Sequence, residues 1–442
     1  LADEYSLADT QQRVAAALAA VEPHHRDYWR EQFAAALADR GFLPAGRILA
    51  GAGSPREVTL FNCFVMGPIP DHMAGIFDAL KEGAVTMQAG GGIGMDFSSL
   101  RPRGTPSRHA GTIASGPVAF MDVWDAMCAT VLSTGARRGA MMATLRCDHP
   151  DIAEFVDAKR AAGRLTRFNV SVQVTDAFMA AVEADADWPL VFPAEALEDG
   201  TGAGGTVERH WPGYPGPVTC RVVRTVPARE LWDRILRATY DTAEPGVLFV
   251  DRVNAANNLW YREQLSATNP CGEEPLPPYG SCNLGSLNLA AFVRAPFSEQ
   301  ARLDWEALAA RVPLAVRMLD NVIDASRFPL TAQADTERGN RRIGLGITGL
   351  ADALILLGLR YDSDAGRALA QRAMATITHA AYRASVALAR EKGAFPDLDR
   401  EAYLAGDFIQ GLPGDIRDAI AAHGIRNSHL TAIAPTGTIS LL

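Results

Sequence analysis

Apolar residues recur at helical spacing over residues 7–40, where Val14, Leu18 and Val21, then Tyr28, Trp29, Phe33 and Leu37, predict helices interrupted at Pro23. A glycine- and proline-rich passage, residues 41–53, reads as loop and turn. From about residue 58 the pattern changes. Leu60–Met66 and Phe168–Val174 read as short strands, each preceding a plausible helix (Ile76–Met87 and Asp176–Ala184). Val247–Val250 reads as a further strand, Trp305–Arg327 and Ala365–Lys392 as long helices, and Leu430–Ile433 as an apolar strand. Strands alternating with helices imply parallel strands joined by crossovers. Residues 187–216 show no periodicity and read as a surface excursion. The predicted organisation is a helical segment over residues 1–57 followed by a large α/β barrel over residues 58–442.

Composition changes this picture little. The chain has 442 residues, 48% of them hydrophobic and 21% charged, which fits a folded globular protein. A net charge of −9 argues against a sequence-independent grip on nucleic acid, while leaving room for a local nucleotide pocket. No apolar run is long enough to span a membrane, and the N-terminus lacks the pattern of a signal peptide. The missing initiator Met suggests either a processed chain or, in preference, a piece of a longer one. Six scattered cysteines form neither C-x-x-C nor a Cys/His cluster, so no metal site is expected, and buried thiols in a reducing cytoplasm are the default reading.

Three segments could carry chemistry. Gly90-Gly-Gly-Ile-Gly94 fits neither the dinucleotide nor the phosphate-loop spacing, but it permits close approach to backbone; a tight structural turn is the alternative. In Asn269-Pro-Cys-Gly-Glu273 a cysteine stands between an amide and a carboxylate. If that segment is extended, Asn269, Cys271 and Glu273 share one face; two incidental cysteines, Cys271 and Cys282, on a structural turn are the alternative. Ala434-Pro-Thr-Gly-Thr-Ile-Ser440 offers hydroxyls and amides suited to a phosphate.

With Cys63 and the Cys282 segment (Tyr279-Gly-Ser-Cys-Asn-Leu-Gly), these motifs stand in an order that closely resembles the large catalytic subunit of ribonucleotide reductases, most of all the class II, adenosylcobalamin-dependent branch. The resemblance covers residues 40–442 and implies a ten-stranded α/β barrel with a cysteine-bearing finger loop. It implies that Cys271 carries a thiyl radical, that Glu273 is the general base, and that Asn269 binds the ribose hydroxyls. Cys63 and Cys282 would be the redox-active dithiol that becomes a disulfide. Asn62 and Gly92 would line the sugar and phosphate side, with Pro435, Thr436, Gly437, Thr438, Ile439 and Ser440 around the phosphates. Phe97–Gly116, including Arg101, and Thr134–Met141 resemble the family's two specificity loops, and Asp71 falls where an effector ribose is contacted. Cys128, Cys147 and Cys220 match no family motif and are assigned to packing.

The implied partners are a ribonucleoside di- or triphosphate, a deoxynucleoside triphosphate effector, a thioredoxin-like or small dithiol reductant and a second copy of the chain. Arg47 stands where many relatives carry a hydroxyl. The family chain continues through further barrel strands and a cysteine-bearing tail, so the resemblance implies a barrel whose last strands are missing here. The D-x-H-x-x-G cobalamin motif is absent, though this family does not rely on it. A class I large subunit, fed by a metal-radical partner, and a catalytically silent nucleotide-binding fragment remain the competing readings.

Overall fold

A computed structural model describes residues 4–106, 113–131, 139–160, 163–197 and 204–441. The chain folds as two compact units. A terminal unit gathers residues 1–62, 257–262 and 281–442, and a central unit gathers residues 63–256 and 263–280.

In the terminal unit, helix Leu7–Ala19 begins with a reciprocal cap between Ser6 and Asp9 and buries Val14, Ala15 and Leu18. Helix Arg26–Ala38 follows the predicted break. Both lie against helix Trp305–Ala325, which buries Val312, Val316, Leu319 and Ile323. The same helix carries polar residues inward. Arg317 pairs with Glu22 at 2.9 Å and with Glu391, and its guanidinium lies 3.9 Å over the Trp29 ring. Asn321 donates to Leu18 O at 3.0 Å and to Glu22 at 2.8 Å, so the N-terminal helices are held by charge as well as by packing.

Residues 41–53, read as loop, instead form a short strand, Phe42–Pro44, and a short helix, Gly46–Gly51. The strand exists because Leu284–Asn288 pairs with it antiparallel, Phe42 opposite Leu287; Gly344–Thr348 then adds parallel on the other side. Tertiary pairing outweighs the local breaker signals here. Leu430–Ile433 does not become a full strand. It makes a single parallel bridge, Leu345 to Thr431, and Gly346 allows the approach, since a side-chain carbon there would meet Ala432 O at 2.2 Å.

The central unit is built on five parallel strands in the order Cys63–Val65, Gly92–Asp96, Met141–Arg146, Phe168–Val174 and Gly246–Phe249. Parallel register puts side chains of matched residues on the same face. Phe64, Ile93, Met95, Met141, Ala143, Leu145, Phe168, Val170 and Val172 form one apolar, buried face. The opposite face carries Cys63, Gly92, Gly94, Asp96, Met142, Thr144, Arg146, Asn169, Ser171 and Gln173. Buried parallel strands are ordinarily apolar on both sides. Here one face is instead more polar and richer in glycine than the other.

The region read as a surface excursion is in fact a three-stranded antiparallel sheet, with Pro217–Pro227 between Asp187–Pro193 and Thr206–His210. It has its own core of Val191, Phe192, Leu197, Trp211 and Cys220. Its turn-rich composition hides strands of which Thr206–His210 and Pro217–Pro227 bury few residues.

Candidate active site

The sulfur-bearing loop is a hairpin. Ala267–Thr268 pairs antiparallel with Pro275–Leu276, and between them Gly272 N–H donates to Asn269 O at 3.0 Å. That bond closes a four-residue turn with Pro270 second and Cys271 third, a position proline's fixed φ favours. The segment is thus turned rather than extended, and Asn269, Cys271 and Glu273 do not share a face by strand alternation: Asn269 is buried, Glu273 half-buried and Cys271 exposed. The turn brings two of them together directly. Asn269 Nδ2 donates to Glu273 Oε2 at 2.6 Å, while Asn269 Oδ1 accepts the Glu274 N–H at 3.0 Å.

The hairpin lies across the polar face of the parallel sheet. A side-chain carbon at Gly94 would stand 1.8 Å from Thr268 O, so only glycine lets the hairpin stem cross that strand. At Gly92 such a carbon would meet Pro270 at 3.0 Å and Cys63 Sγ at 3.4 Å. Gly92 thus stands beside both the cysteine turn and Cys63, its partner in the strand register. Thr144 Oγ1 donates to Ser266 O at 2.9 Å and Asn169 Nδ2 to Pro270 O at 2.7 Å. Burial pushes the Asp96 carboxyl up, against hydrogen bonds from Ser98, Gln173 and Ser266. Gly94 stands in the singled-out Gly90–Gly94 segment, while the motif reading missed Thr144 and Asn169. The alternation Phe-Asn-Val-Ser-Val-Gln-Val in the Phe168–Val174 strand was the available signal.

Cys282 belongs to the terminal unit and is buried. The Pro435–Ser440 segment belongs to the same unit, with Pro435, Gly437, Thr438 and Ser440 exposed and Thr436 at φ 54°. Ser440 N–H donates to Thr436 O at 2.9 Å, and Ile439 anchors the segment in the core. The Thr438 methyl lies against Gly46, where a side-chain carbon would be 2.7 Å away. Asn62, half-buried, is the last residue of this unit before the chain enters Cys63. Cys128, Cys147 and Cys220 are all buried.

Arg101 and Asp71 meet: Arg101 Nε lies 2.8 Å from Asp71 Oδ2, and its N–H donates to Oδ1 at 3.1 Å. Burial lifts the Asp71 carboxyl above its ordinary value in spite of that cation. The antiparallel sheet grips the chain just before Arg101. Trp211 Nε1 donates to Ser98 O at 3.1 Å, and Arg146, 4.8 Å over the Trp211 ring, donates to His210 O at 2.9 Å. His149 bridges Leu100 O and the Asp151 N–H, each at 3.0 Å, and burial keeps its ring below the ordinary histidine range. Of the two loops read as regulatory, residues 107–112 of the first and 132–138 of the second, including Arg137 and Arg138, lie outside the described residues.

A parallel α/β sheet whose polar face carries an exposed cysteine hairpin fits two family models that together cover nearly the whole chain: the ribonucleotide reductase all-alpha domain over residues 4–57 and the ribonucleotide reductase barrel domain over residues 61–442. The chain belongs to the ribonucleotide reductase large-subunit family. It is 41% identical over 430 residues to the vitamin B12-dependent ribonucleoside-diphosphate reductase of Mycobacterium tuberculosis (strain CDC 1551 / Oshkosh), covering 97% of this chain and 55% of that protein. It is 35% identical over 417 residues to the protein of the same name in Thermoplasma acidophilum, covering 94% and 48%. Against the ribonucleoside-diphosphate reductase subunit alpha of Chlamydia pneumoniae the identity is 28% over 462 residues, covering 97% and 44%. The chain spans about half the length of the curated relatives it matches. No helix among the described residues is long and apolar enough to cross a membrane.

Proposed function

We propose that the protein reduces ribonucleotides to 2′-deoxyribonucleotides by radical chemistry centred on Cys271, in the adenosylcobalamin-dependent manner. The observation that carries this reading is the Cys271 hairpin, an exposed cysteine on a turn braced by Asn269 and Glu273 over a face of glycines and hydrogen-bonding side chains. The names of the relatives favour a ribonucleoside diphosphate as substrate.

In this reading the Cys271 thiyl takes the 3′ hydrogen of the ribose and returns it at the end of the cycle. Glu273 accepts the 3′-hydroxyl proton as general base, and Asn269 both orients Glu273 and hydrogen-bonds the ribose hydroxyls. Cys63 and Cys282 supply a proton to the departing 2′-hydroxyl and two electrons, ending as a disulfide that an external dithiol, thioredoxin-like or small, reduces. Asn62 and Gly92 line the sugar and phosphate side, and Pro435–Ser440 hold the phosphates.

The chain fits a cofactor that reaches Cys271 from outside. Cys271 is exposed, and a side-chain carbon at Gly272 would find nothing nearer than Met142, 4.0 Å away. Cys271 and Gly272 would face the cofactor, which when bound supplies the one-electron chemistry that makes the thiyl.

The Asp71–Arg101 pair is proposed to contact a deoxynucleoside triphosphate effector, and the protein to work as a homodimer. The helix Met73–Gln88 supports the latter, since it leaves Met73, Phe77 and Val85 exposed at spacings of four and eight residues, on one side.

The test is Cys271→Ser in the full-length protein, assayed with adenosylcobalamin, dithiol and a ribonucleoside diphosphate. The unaltered protein should form deoxynucleotide. The variant should form none while still binding nucleotide, because an O–H bond is too strong for the cycle. Turnover by the variant would remove Cys271 from the reaction.

A further inference from the structure

The turn that carries Cys271 has two possible backbone arrangements. In a four-residue turn with proline second, the peptide between the second and third residues can face either way. One orientation leaves the third residue at negative φ, and the other requires positive φ there. Here that peptide is Pro270–Cys271. Cys271 is not among the residues at positive φ, so the turn is in the first arrangement. A flip would swing the Pro270 carbonyl to the opposite side and redirect the Cys271 side chain with it.

Only a modest steric penalty guards a cysteine against that flip. One side chain adds to it. Asn169, on the Phe168–Val174 strand, donates its amide to Pro270 O at 2.7 Å, the carbonyl that would have to move. Its register partner Met142 is the side chain nearest the open space at Gly272. Asn169 is itself exposed, flanked in sequence by the buried Phe168 and Val170, so packing does not explain an amide there.

We propose that Asn169 is a positioning residue for Cys271: its hydrogen bond to the Pro270 carbonyl holds the Pro270–Cys271 peptide in the one orientation that directs the sulfur at the substrate. This deepens the proposed function and rests on it. Asn169 acts through the peptide plane.

The experiment compares Asn169→Ala and Asn169→Asp, both lacking the donor, with the unaltered full-length holoenzyme. Three quantities are read: kcat against KM, the unfolding midpoint, and the rate at which iodoacetamide alkylates Cys271 in cofactor-free protein. The other five cysteines are buried, so alkylation reports on Cys271. Misdirecting a reacting group by about 1 Å costs on the order of 100-fold. Both variants should therefore lose about 10–100-fold in kcat with KM changed by less than about threefold, while alkylation changes at least about threefold and the unfolding midpoint hardly moves. Wild-type kcat in both variants, or a loss of activity that follows a loss of stability with alkylation unchanged, would overturn the proposal. Cys271→Ser separates the two levels. If it is inactive and the Asn169 variants behave as wild type, only the positioning role fails; if it is active, the radical reading fails whatever Asn169 does.

Discussion

Asn269 and Glu273 face each other across the cysteine turn, 2.6 Å from amide to carboxylate, and Asn269 also receives the neighbouring Glu274 N–H. One buried side chain thereby ties the second arm of the hairpin to the first and fixes where the carboxylate sits. If Glu273 is the base, Glu273→Gln should lower turnover by about 10²–10⁴-fold with nucleotide affinity nearly unchanged. Asn269→Ala should lower turnover and also cost about 1–3 kcal/mol of stability, because a buried N–H loses its acceptor. Steady-state kinetics with urea unfolding would check both. Turnover within tenfold of wild type in Glu273→Gln would remove the base assignment.

Gly94 is required by the chain that crosses it. In Gly94→Ala the new methyl would meet Thr268 O at 1.8 Å, so the hairpin stem must lift off the sheet. The expected cost is about 1–3 kcal/mol, or more if the stem cannot move, together with faster alkylation of Cys271. Wild-type stability and alkylation would show that the stem does not lie across that strand.

Asp148 is buried between two guanidiniums, Arg146 at 2.7 Å and Arg209 at 3.1 Å. Burial alone would raise its carboxyl, but the two cations override it and hold it below the ordinary range. A carboxyl depressed in the fold contributes stability that is present above its unfolded value, about 3.9, and lost as pH falls through the folded value. Asp148→Asn should cost about 3–5 kcal/mol at neutral pH by leaving Arg146 buried without its counter-charge. It should also flatten the loss of stability below pH about 4. Denaturant unfolding across pH measures both, and an unchanged acid limb would contradict the assignment.

His429 is half-buried just before the Pro435–Ser440 segment. It accepts from Arg342 Nε at 3.1 Å and faces Asn257 Oδ1 at 3.0 Å. Burial first, and the Arg342 charge second, keep the ring neutral well below the ordinary histidine value. The unfolded chain therefore binds the proton first. Stability from this group is complete above about pH 6.5 and is lost as pH falls toward the folded value. His429→Gln should lower stability at pH 8 yet remove much of its decline between about pH 6.5 and 5. Thermal unfolding over that range decides it; parallel curves for the two proteins would show that His429 does not titrate there.

Phe77 lies on the exposed side of its helix beside Met73. If that side is the homodimer contact, Phe77→Glu should convert the full-length protein to monomer in sedimentation velocity at micromolar concentration while leaving its unfolding midpoint nearly unchanged. It should also weaken the effect of deoxynucleotides on substrate choice. A wild-type protein that sediments as a monomer would end the dimer proposal.

Much of the fold was legible because it rests on local periodicity. The Phe168–Val174 strand has the bounds its alternation predicts, and the helices Met73–Gln88 and Asp364–Lys392 lie within a few residues of theirs. The failures share a cause. Phe42–Pro44 is a strand only because Leu284–Asn288 lies beside it, and the Thr206–His210 strand because Pro217–Pro227 does. Such pairing is non-local, so no window of neighbouring residues contains it.

The sequence by itself determined that parallel strands alternate with helices and which family the motif order resembles, since these follow from spacing and residue type along the chain. Tertiary structure alone decided how the residues around Cys271 act on one another. It bent the Asn-Pro-Cys-Gly segment into a turn where an extended chain was one reading, so that Asn269 reaches Glu273 by hydrogen bond and not by strand alternation. It also brought Asn169, a hundred residues upstream, to the Pro270 carbonyl. A hydrogen bond acts over about 3 Å of space whatever the separation in sequence. Which residues meet at the hairpin is therefore set by where strands cross, and the hairpin packs across the polar face of the parallel sheet.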